Sequence, residues 1–344
     1  MNDNNNKELT MNKLNKLGVS ALCGSLAAIS AANAGDLTVT GGADLTWVSL
    51  SDQVTGNPIG MGSNFGLNGS GELENGWTVN FDVDMTNANA YSNASVTVVV
   101  PGLGSILVNQ GGSGTGIQRM DDITPTVWEE ADGAGLSAGI TKVMGTSAGA
   151  TIELTPDMTP DGLTARIAYS PNADDEPASD KAGGGDSGTL SSGWDVTLTA
   201  TSDLIGIDGL TIYGGLSNVD QHQNATTING DAEERVIGFT YAAGSFTVGW
   251  QDSEDKVGTT ANNTYDNTMY SITFNVSDDL SLGYAHVESS KEGSNTAEAD
   301  SLQAAYTMGG ATFRIAEVDV ENQSYSTAST ADLDATIVSL GLAF

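Results

Sequence analysis

The sequence predicts an all-β protein: a sixteen-stranded antiparallel transmembrane β-barrel with short periplasmic turns and long extracellular loops. The first observation behind this prediction is a strict alternation of apolar and polar residues, as in residues 77–86, where Trp77 and Phe81 alternate with Thr78 and Asp82. Period-2 alternation assigns one set of side chains to each face of a strand. The second observation is that the connections are alternately short and long, which is typical of turns on one rim of a barrel and loops on the other.

Alternation and turn residues together predict the strands in chain order. The Glu74-Asn75-Gly76 segment, for example, is a strong hairpin signal. A sheet of this width is expected to close, because closure removes its edges. The predicted strands are Asp36–Leu50, Ser63–Leu73, Trp77–Thr86, Tyr91–Val100, Ser105–Gln110, Gly149–Pro156, Leu163–Ser170, Gly193–Ser202, Leu210–Asn218, Glu234–Tyr241, Ser245–Ser253, Asn267–Val276, Leu280–Ser289, Ser301–Met308, Ala311–Val320 and Asp334–Phe344.

Two stretches depart from the pattern. In Ala311–Val320, Phe313 and Ile315 share one face while Val318 and Val320 share the other, so we expect a β-bulge near Ala316. Segment 111–148 is much longer than an ordinary connection. At such a length a connection is either functional or disordered.

Residues 1–34 are predicted to be a secretory signal peptide, and residues 35–344 a single transmembrane β-barrel domain. Lys13 and Lys16 precede an apolar stretch that ends at the small-residue site Ala32-Asn33-Ala34. Translation could also start at Met11. Leu22 is too large for a lipidation site at Cys23, the single cysteine. The mature chain would therefore lack cysteine, which excludes disulfides and thiolate metal sites.

The formal net charge of −33 argues against nucleic-acid binding, which needs a basic surface. No cofactor or defined metal site is predicted, although acidic loops could bind calcium or magnesium weakly through carboxylate oxygens. Those loops contain Asp174, Asp175, Glu176, Asp180, Asp186, Asp252, Glu254 and Asp255. Neither His222 nor His286 has a recognisable catalytic partner pattern, so an enzyme is not expected.

Three features make the chain resemble the general diffusion porins of Gram-negative bacteria, which are sixteen-stranded and usually trimeric. They are the terminal ladder Val338, Leu340, Leu342 and Phe344, the early hairpin Gly71-Glu72-Leu73-Glu74-Asn75-Gly76-Trp77, and the long segment after the fifth strand. The resemblance implies export to the outer membrane and passive diffusion of small hydrophilic solutes and ions. It also implies a homotrimer in contact with lipid and lipopolysaccharide. The terminal ladder, with Phe344, would be the signal read by the outer-membrane assembly machinery.

The resemblance further implies that segment 111–148 is a third loop folded into the barrel, where it narrows the pore. The predicted constriction residues are Arg119, Asp121, Asp122, Glu129 and Glu130, with Asp121 and Asp122 the strongest candidates. Acidic side chains at a narrow point favour cations. The alternative is an external loop whose acids only aid solubility. The link after Thr86 is too short for the latch by which some porins hold a neighbouring subunit.

Arg166 and Arg314 alternate with apolar neighbours and are predicted to face the lumen, because an arginine facing lipid near the midplane costs about 2–4 kcal/mol. The resemblance implies that such wall arginines face the acidic loop across the pore. The alternative is an ion pair that braces the loop. The function predicted is a water-filled channel with a cation preference. A substrate-specific outer-membrane channel and a non-pore secreted or surface β-protein remain as alternatives.

Overall fold

The computed structural model describes residues 35–51, 55–87, 90–110, 114–134, 136–173, 190–221, 230–257, 264–328 and 330–343. The predicted signal peptide, Phe344, His222 and the acids at positions 174–186 lie outside these residues. In the described part of the chain, no helix is long and apolar enough to cross a membrane.

The sixteen strands form one closed antiparallel barrel, as predicted. Each strand pairs with the next in the chain, and β1 closes the sheet by pairing with β16. The strands are β1 Leu37–Leu50, β2 Ile59–Glu72, β3 Thr78–Thr86, β4 Ala90–Val100, β5 Gly104–Asn109, β6 Thr151–Pro156, β7 Leu163–Ser170, β8 Leu190–Ala200, β9 Leu210–Gln221, β10 Ala232–Ala243, β11 Phe246–Val257, β12 Thr264–Asn275, β13 Leu280–Lys291, β14 Thr296–Met308, β15 Ala311–Glu321 and β16 Leu333–Ala343.

The connections on one rim are tight. Residues 244–245 join β10 to β11 and residues 309–310 join β14 to β15. Gly244 and Gly309 both have a φ of +62°, a backbone conformation that glycine adopts without a steric penalty. A short helix, α1 (Ser202–Ile205), lies in the connection from β8 to β9. The connection between β13 and β14 is shorter than predicted, because both strands extend further toward the loop rim.

The outward face is apolar, with half-exposed side chains such as Trp47, Ile167, Trp194 and Phe313. This exposure is expected of a barrel wall that contacts hydrocarbon. Leu340 and Leu342 of the predicted assembly signal also face outward, where Leu340 pairs with Leu45 of β1 and with Phe313 of β15.

The predicted β-bulge near Ala316 is wrong. The register from Glu298↔Glu321 to Met308↔Ala311 runs without a shift, and so does the pairing of β15 with β16. The alternation of faces is preserved: Val318 and Val320 are buried on the inner face, while Glu317 and Asp319 alternate with them on the outer face. The loop half of β15 is thus apolar inside and acidic outside, the reverse of its turn half. Its inner residues pack against the segment inside the barrel.

Candidate functional site in the barrel lumen

Segment 114–148, the inner loop, packs against the inner face of the barrel. It begins with a 3-10 turn (Gly116–Met120) whose Ile117 and Met120 are buried. These side chains form an apolar cluster with Val143 from the far end of the loop and with the wall residues Tyr213 and Val236. Both ends of the inner loop are therefore anchored to the same part of the wall.

Three wall carboxylates hold these ends through backbone N–H groups. Glu153 of β6 accepts a hydrogen bond from the Gly116 N–H at 2.7 Å. Asp195 of β8 accepts from the N–H groups of Ile117 at 3.1 Å and Thr146 at 3.2 Å. Glu234 of β10 accepts from the N–H groups of Met144 at 2.9 Å and Gly145 at 2.8 Å. Because carboxylates make stronger hydrogen bonds than neutral acceptors, they fix both ends of the inner loop.

The returning part of the inner loop fills the lumen beside β13–β16. Its residues Ala131, Ala134 and Ala138 are buried against wall residues such as Val318 and Ile337. Side chains on one half of the inner wall are thus covered by the loop. The open path runs between the inner loop and β1–β4, and toward the turn rim β15 and β16 also border it.

A cavity of ≈ 550 Å³ opens on this path. The inner loop contributes Trp128 and Glu129 to its lining, and β15 contributes Arg314. The opposite side comes from β1 and β2, and the lining there includes Asp44, Gly62 and Asn64.

The four carboxylates predicted at the constriction lie in the middle of the inner loop. Burial, with repulsion from Asp122 as the next cause, raises the pKa of Asp121 to about 7. Burial also raises the pKa values of Glu129 and Glu130 above their ordinary range. Of these four residues, Glu129 is the exposed one and the others are partly buried.

Lys142, in the returning part of the inner loop, balances part of this negative charge. Its Nζ lies 3.3 Å from an Asp132 oxygen and 3.6 Å from an Asp122 oxygen. Burial lowers the pKa of Lys142, but the carboxylates of Asp132 and Asp122 outweigh it and leave the pKa above its ordinary value. Lys142 therefore stays charged and compensates these two acids.

Arg119 and Arg166 share one wall carboxylate. The Arg119 guanidinium donates to Glu153 at 2.8 and 3.3 Å, and the Arg166 Nε lies 3.9 Å from the same residue. Arg119 lies on the inner loop and Glu153 on the wall, so this contact ties the loop to the wall. Arg166 and Glu153 both lie on the wall, on β7 and β6, so the contact between them does not itself join the loop to the wall.

Arg314 lies beside the open path. Its Nη1 lies 3.5 Å from an Asp44 oxygen of β1 and 3.4 Å from the Ser339 Oγ. Its guanidinium lies 5.9 Å from the ring centroid of Trp128, within cation–π range. A side chain at Gly341 would collide with this guanidinium, since its Cβ would lie 2.8 Å from Nη1.

Besides the three wall carboxylates that hold the ends of the inner loop, three more wall acids are absent from the predicted site residues: Asp44 in β1, and Asp82 and Asp84 in β3. Asp82 accepts a hydrogen bond from the Asn68 amide of β2 on the lumen side, and the outward-facing Phe81 is half-exposed on the opposite face. The sequence does indicate that Asp82 and Asp84 face the lumen, because both alternate with apolar residues. Alternation predicts the face but gives no ranking among the polar residues that share it.

Among the described residues, no group of three or more histidine, cysteine, aspartate or glutamate side chains is arranged to hold a metal ion. The geometry instead offers a passage with acidic walls, partly closed by a loop that is anchored at both ends.

A family model described as Gram-negative porin matches residues 18–312. No curated protein sequence matches the chain. The fold is similar to solved porin structures. OmpF of Salmonella typhi, in a complex with daunomycin, aligns with a TM-score of 0.67 and 16% identity over 90% of this chain and 98% of that one. A loop-deletion mutant of OmpT, an outer membrane protein of Vibrio cholerae, aligns at 0.63 and 12% identity over 90% and 100%. A mutant of the Rh. blastica porin aligns with a TM-score of 0.60 and 14% identity over 90% of this chain and 100% of that one.

Proposed function

This chain belongs to the Gram-negative porin family, and from that premise we propose that its channel passes small hydrophilic solutes by passive diffusion and prefers cations. The channel is in the outer membrane, where porins of this family act. Selection would come from the width of the open path and from the charges along it. No solute-specific step is required.

The excess of carboxylates along the open path carries the proposal. Glu129 of the loop and Asp44 of the wall line the cavity on this path, and Asp84 lines the neighbouring space beside β1 and β2. We assign Asp121, Asp122 and Glu130 to the loop side of the same path and Asp82 to its wall side. Arg314 is paired with Asp44 and Lys142 with Asp122 and Asp132. Acids therefore outnumber bases. A confined path strengthens the effect of each charge, so cations are enriched and anions depleted.

The arrangement in the membrane is proposed on the same premise. Cleavage after Ala34 would release the mature barrel, and the ladder that ends at Phe344 would direct it to the assembly machinery. Three copies would then form a trimer surrounded by lipid and lipopolysaccharide.

The test is the zero-current potential of the purified protein in planar bilayers under a KCl gradient. The double variant Asp121→Asn with Asp122→Asn should move this potential away from the Nernst potential of K⁺. Asp203→Asn with Asp208→Asn is the matched control, because it also replaces two carboxylates by amides, at exposed positions in the connection from β8 to β9. An unchanged potential in the double variant would remove these two residues from the selectivity argument. Saturable block of conductance by one solute would favour a substrate-specific channel instead.

A further inference from the structure

The middle of the inner loop, residues 122–129, carries the proposed constriction acids at its two ends. Among the described residues it makes no backbone–backbone hydrogen bond of its own. We propose that four wall residues, Gly249, Gly283, Gln251 and Gln303, position these acids; we call them the loop seat. The proposal rests on the proposed function and identifies what sets the width and charge of its constriction.

The two glycines form a recess in the wall. A Cβ on Gly249 of β11 would lie 2.3 Å from Cδ of Pro125 and 3.3 Å from Cα of Thr124. A Cβ on Gly283 of β13 would lie 2.6 Å from a Val127 Cγ atom. The separations to Pro125 and Val127 are well below the 3.5–4.0 Å of an ordinary carbon–carbon contact. Pro125 and Val127 can therefore approach the wall this closely only where a side chain is missing.

The two glutamines hold the loop backbone on either side of this recess. Gln251 is fully buried, and its Nε2 donates to the Asp121 carbonyl at 2.8 Å while its Oε1 accepts from the Ile123 N–H at 3.3 Å. Gln303 is also buried, and its Nε2 donates to the Glu129 carbonyl at 2.7 Å while its Oε1 accepts from the Trp128 N–H at 2.9 Å.

Each glutamine uses both the donor and the acceptor of its side-chain amide on the loop backbone. The residues it holds include or adjoin constriction acids: Asp121 at one end and Glu129 at the other. The two glutamines thus fix the ends of the loop's middle segment by hydrogen bonds. The two glycines fix its centre, because they leave room for Pro125 and Val127 against the wall.

The seat lies on the wall side of the loop, and the open path lies on the other side. Adding a methyl group at Gly283 should push Val127 off the wall by about 1 Å, the difference between the 2.6 Å separation and an ordinary contact. The displaced segment would then enter the open path. We expect a lower conductance and a stronger cation preference, because the path narrows and the carboxylates come closer to the ions.

The experiment is single-channel recording of Gly283→Ala, with Gly69→Ala as the matched control. Gly69 lies in β2, and a Cβ there would meet nothing within 4 Å. The seat predicts a lower conductance and a zero-current potential shifted toward the Nernst potential of K⁺ for Gly283→Ala, with no change for the control. The double variant Gly283→Ala with Val127→Ala lacks the colliding carbon, so it should regain the wild-type conductance and zero-current potential. A residue that only stabilised the barrel would not be rescued by trimming the loop.

Gln303→Met provides a second variant that keeps the side-chain volume but removes the amide. We expect more than one conductance level, because Trp128 and Glu129 lose their hydrogen bonds to the wall. Folding of each variant is checked by its mobility on SDS gels before and after heating. The proposal would be overturned if Gly283→Ala kept the wild-type conductance and zero-current potential, or if Val127→Ala failed to rescue it. A single wild-type conductance level in Gln303→Met would also overturn it. Absence of any channel in the wild-type protein would instead contradict the proposed function.

Discussion

Asp121 should make the cation preference of this channel depend on pH near neutrality. Its pKa is raised to about 7, first by burial and then by repulsion from Asp122. The carboxyl group is neutral well below that pH and charged well above it. Cation preference should therefore rise as the pH increases through about 7. Replacement by asparagine should remove this contribution at pH 9 and have no effect at pH 5.

The size of the effect follows from Coulomb's law. A charge at about 5 Å from a permeating ion in water is worth about 0.8 kcal/mol. Screening at 0.1 M salt, with a Debye length of about 10 Å, reduces this to roughly 0.5 kcal/mol. That energy enriches cations about 2.3-fold and depletes anions by about the same factor. Asp121→Asn should thus lower the cation-to-anion permeability ratio at pH 9 by about fivefold.

The assay is the zero-current potential across a planar bilayer, measured at pH 5 and pH 9 for the wild type and for Asp121→Asn. Lys142 remains charged at both values, since nearby carboxylates hold its pKa above the ordinary lysine value. Asp203→Asn in the α1 connection controls for the loss of one charge elsewhere. An equal effect of Asp121→Asn at both pH values, or none at pH 9, would refute the assignment of this titration to Asp121.

Three further predictions concern the wall. Glu153→Gln should lower the free energy that holds the start of the inner loop on the wall by about 2–4 kcal/mol, because Arg119 and the Gly116 N–H lose a buried charged acceptor. The temperature at which the folded band disappears on SDS gels should therefore fall. Ile337→Ala should destabilise the barrel by about 2–4 kcal/mol in the same assay, since Ile337 is fully buried against the loop, whereas Leu340→Ala on the outward face should cost less. Arg314→Met should strengthen cation preference in bilayer recordings, because Asp44 loses a cation 3.5 Å away; an unchanged zero-current potential would place Arg314 outside the ion path.

The barrel itself could be predicted from the sequence, because its main determinant is local. Alternation such as that of Val79, Phe81 and Val83 with their polar neighbours assigns each residue to a face, and paired strands must share that assignment. The turns were equally readable: the segment around Gly76 joins β2 to β3. Strand ends were less well determined, as in β13 and β14, because polar residues near the loop rim suit either a strand or a loop.

The contacts inside the lumen could not be predicted from the sequence. Glu153 and Glu234 are acids on alternating strands, like many others, and nothing local indicates that they accept backbone N–H groups from residues 37 and 90 positions away along the chain. The role of Gly249 and Gly283 is likewise not predictable from the sequence, because it depends on the path of the inner loop. These contacts depend on tertiary placement of the loop, which has no periodicity from which to infer it.

The failed β-bulge shows why the loop and the wall must be considered together. The sequence predicts a bulge because the apolar residues of β15 change faces between Ile315 and Val318. In the structure, Val318 and Val320 face Ala131, Ala134 and Ala138 of the inner loop, so the lumen at this height is a packed protein interior. The outer face at the same height is acidic, as Glu317, Asp319 and Glu321 show. Charged side chains there are incompatible with hydrocarbon, so the apolar membrane band must end below them. The loop half of β15, apolar inside and acidic outside, therefore marks the height at which the inner loop packs against the wall. The same residues mark where the outer face of the wall leaves the hydrocarbon.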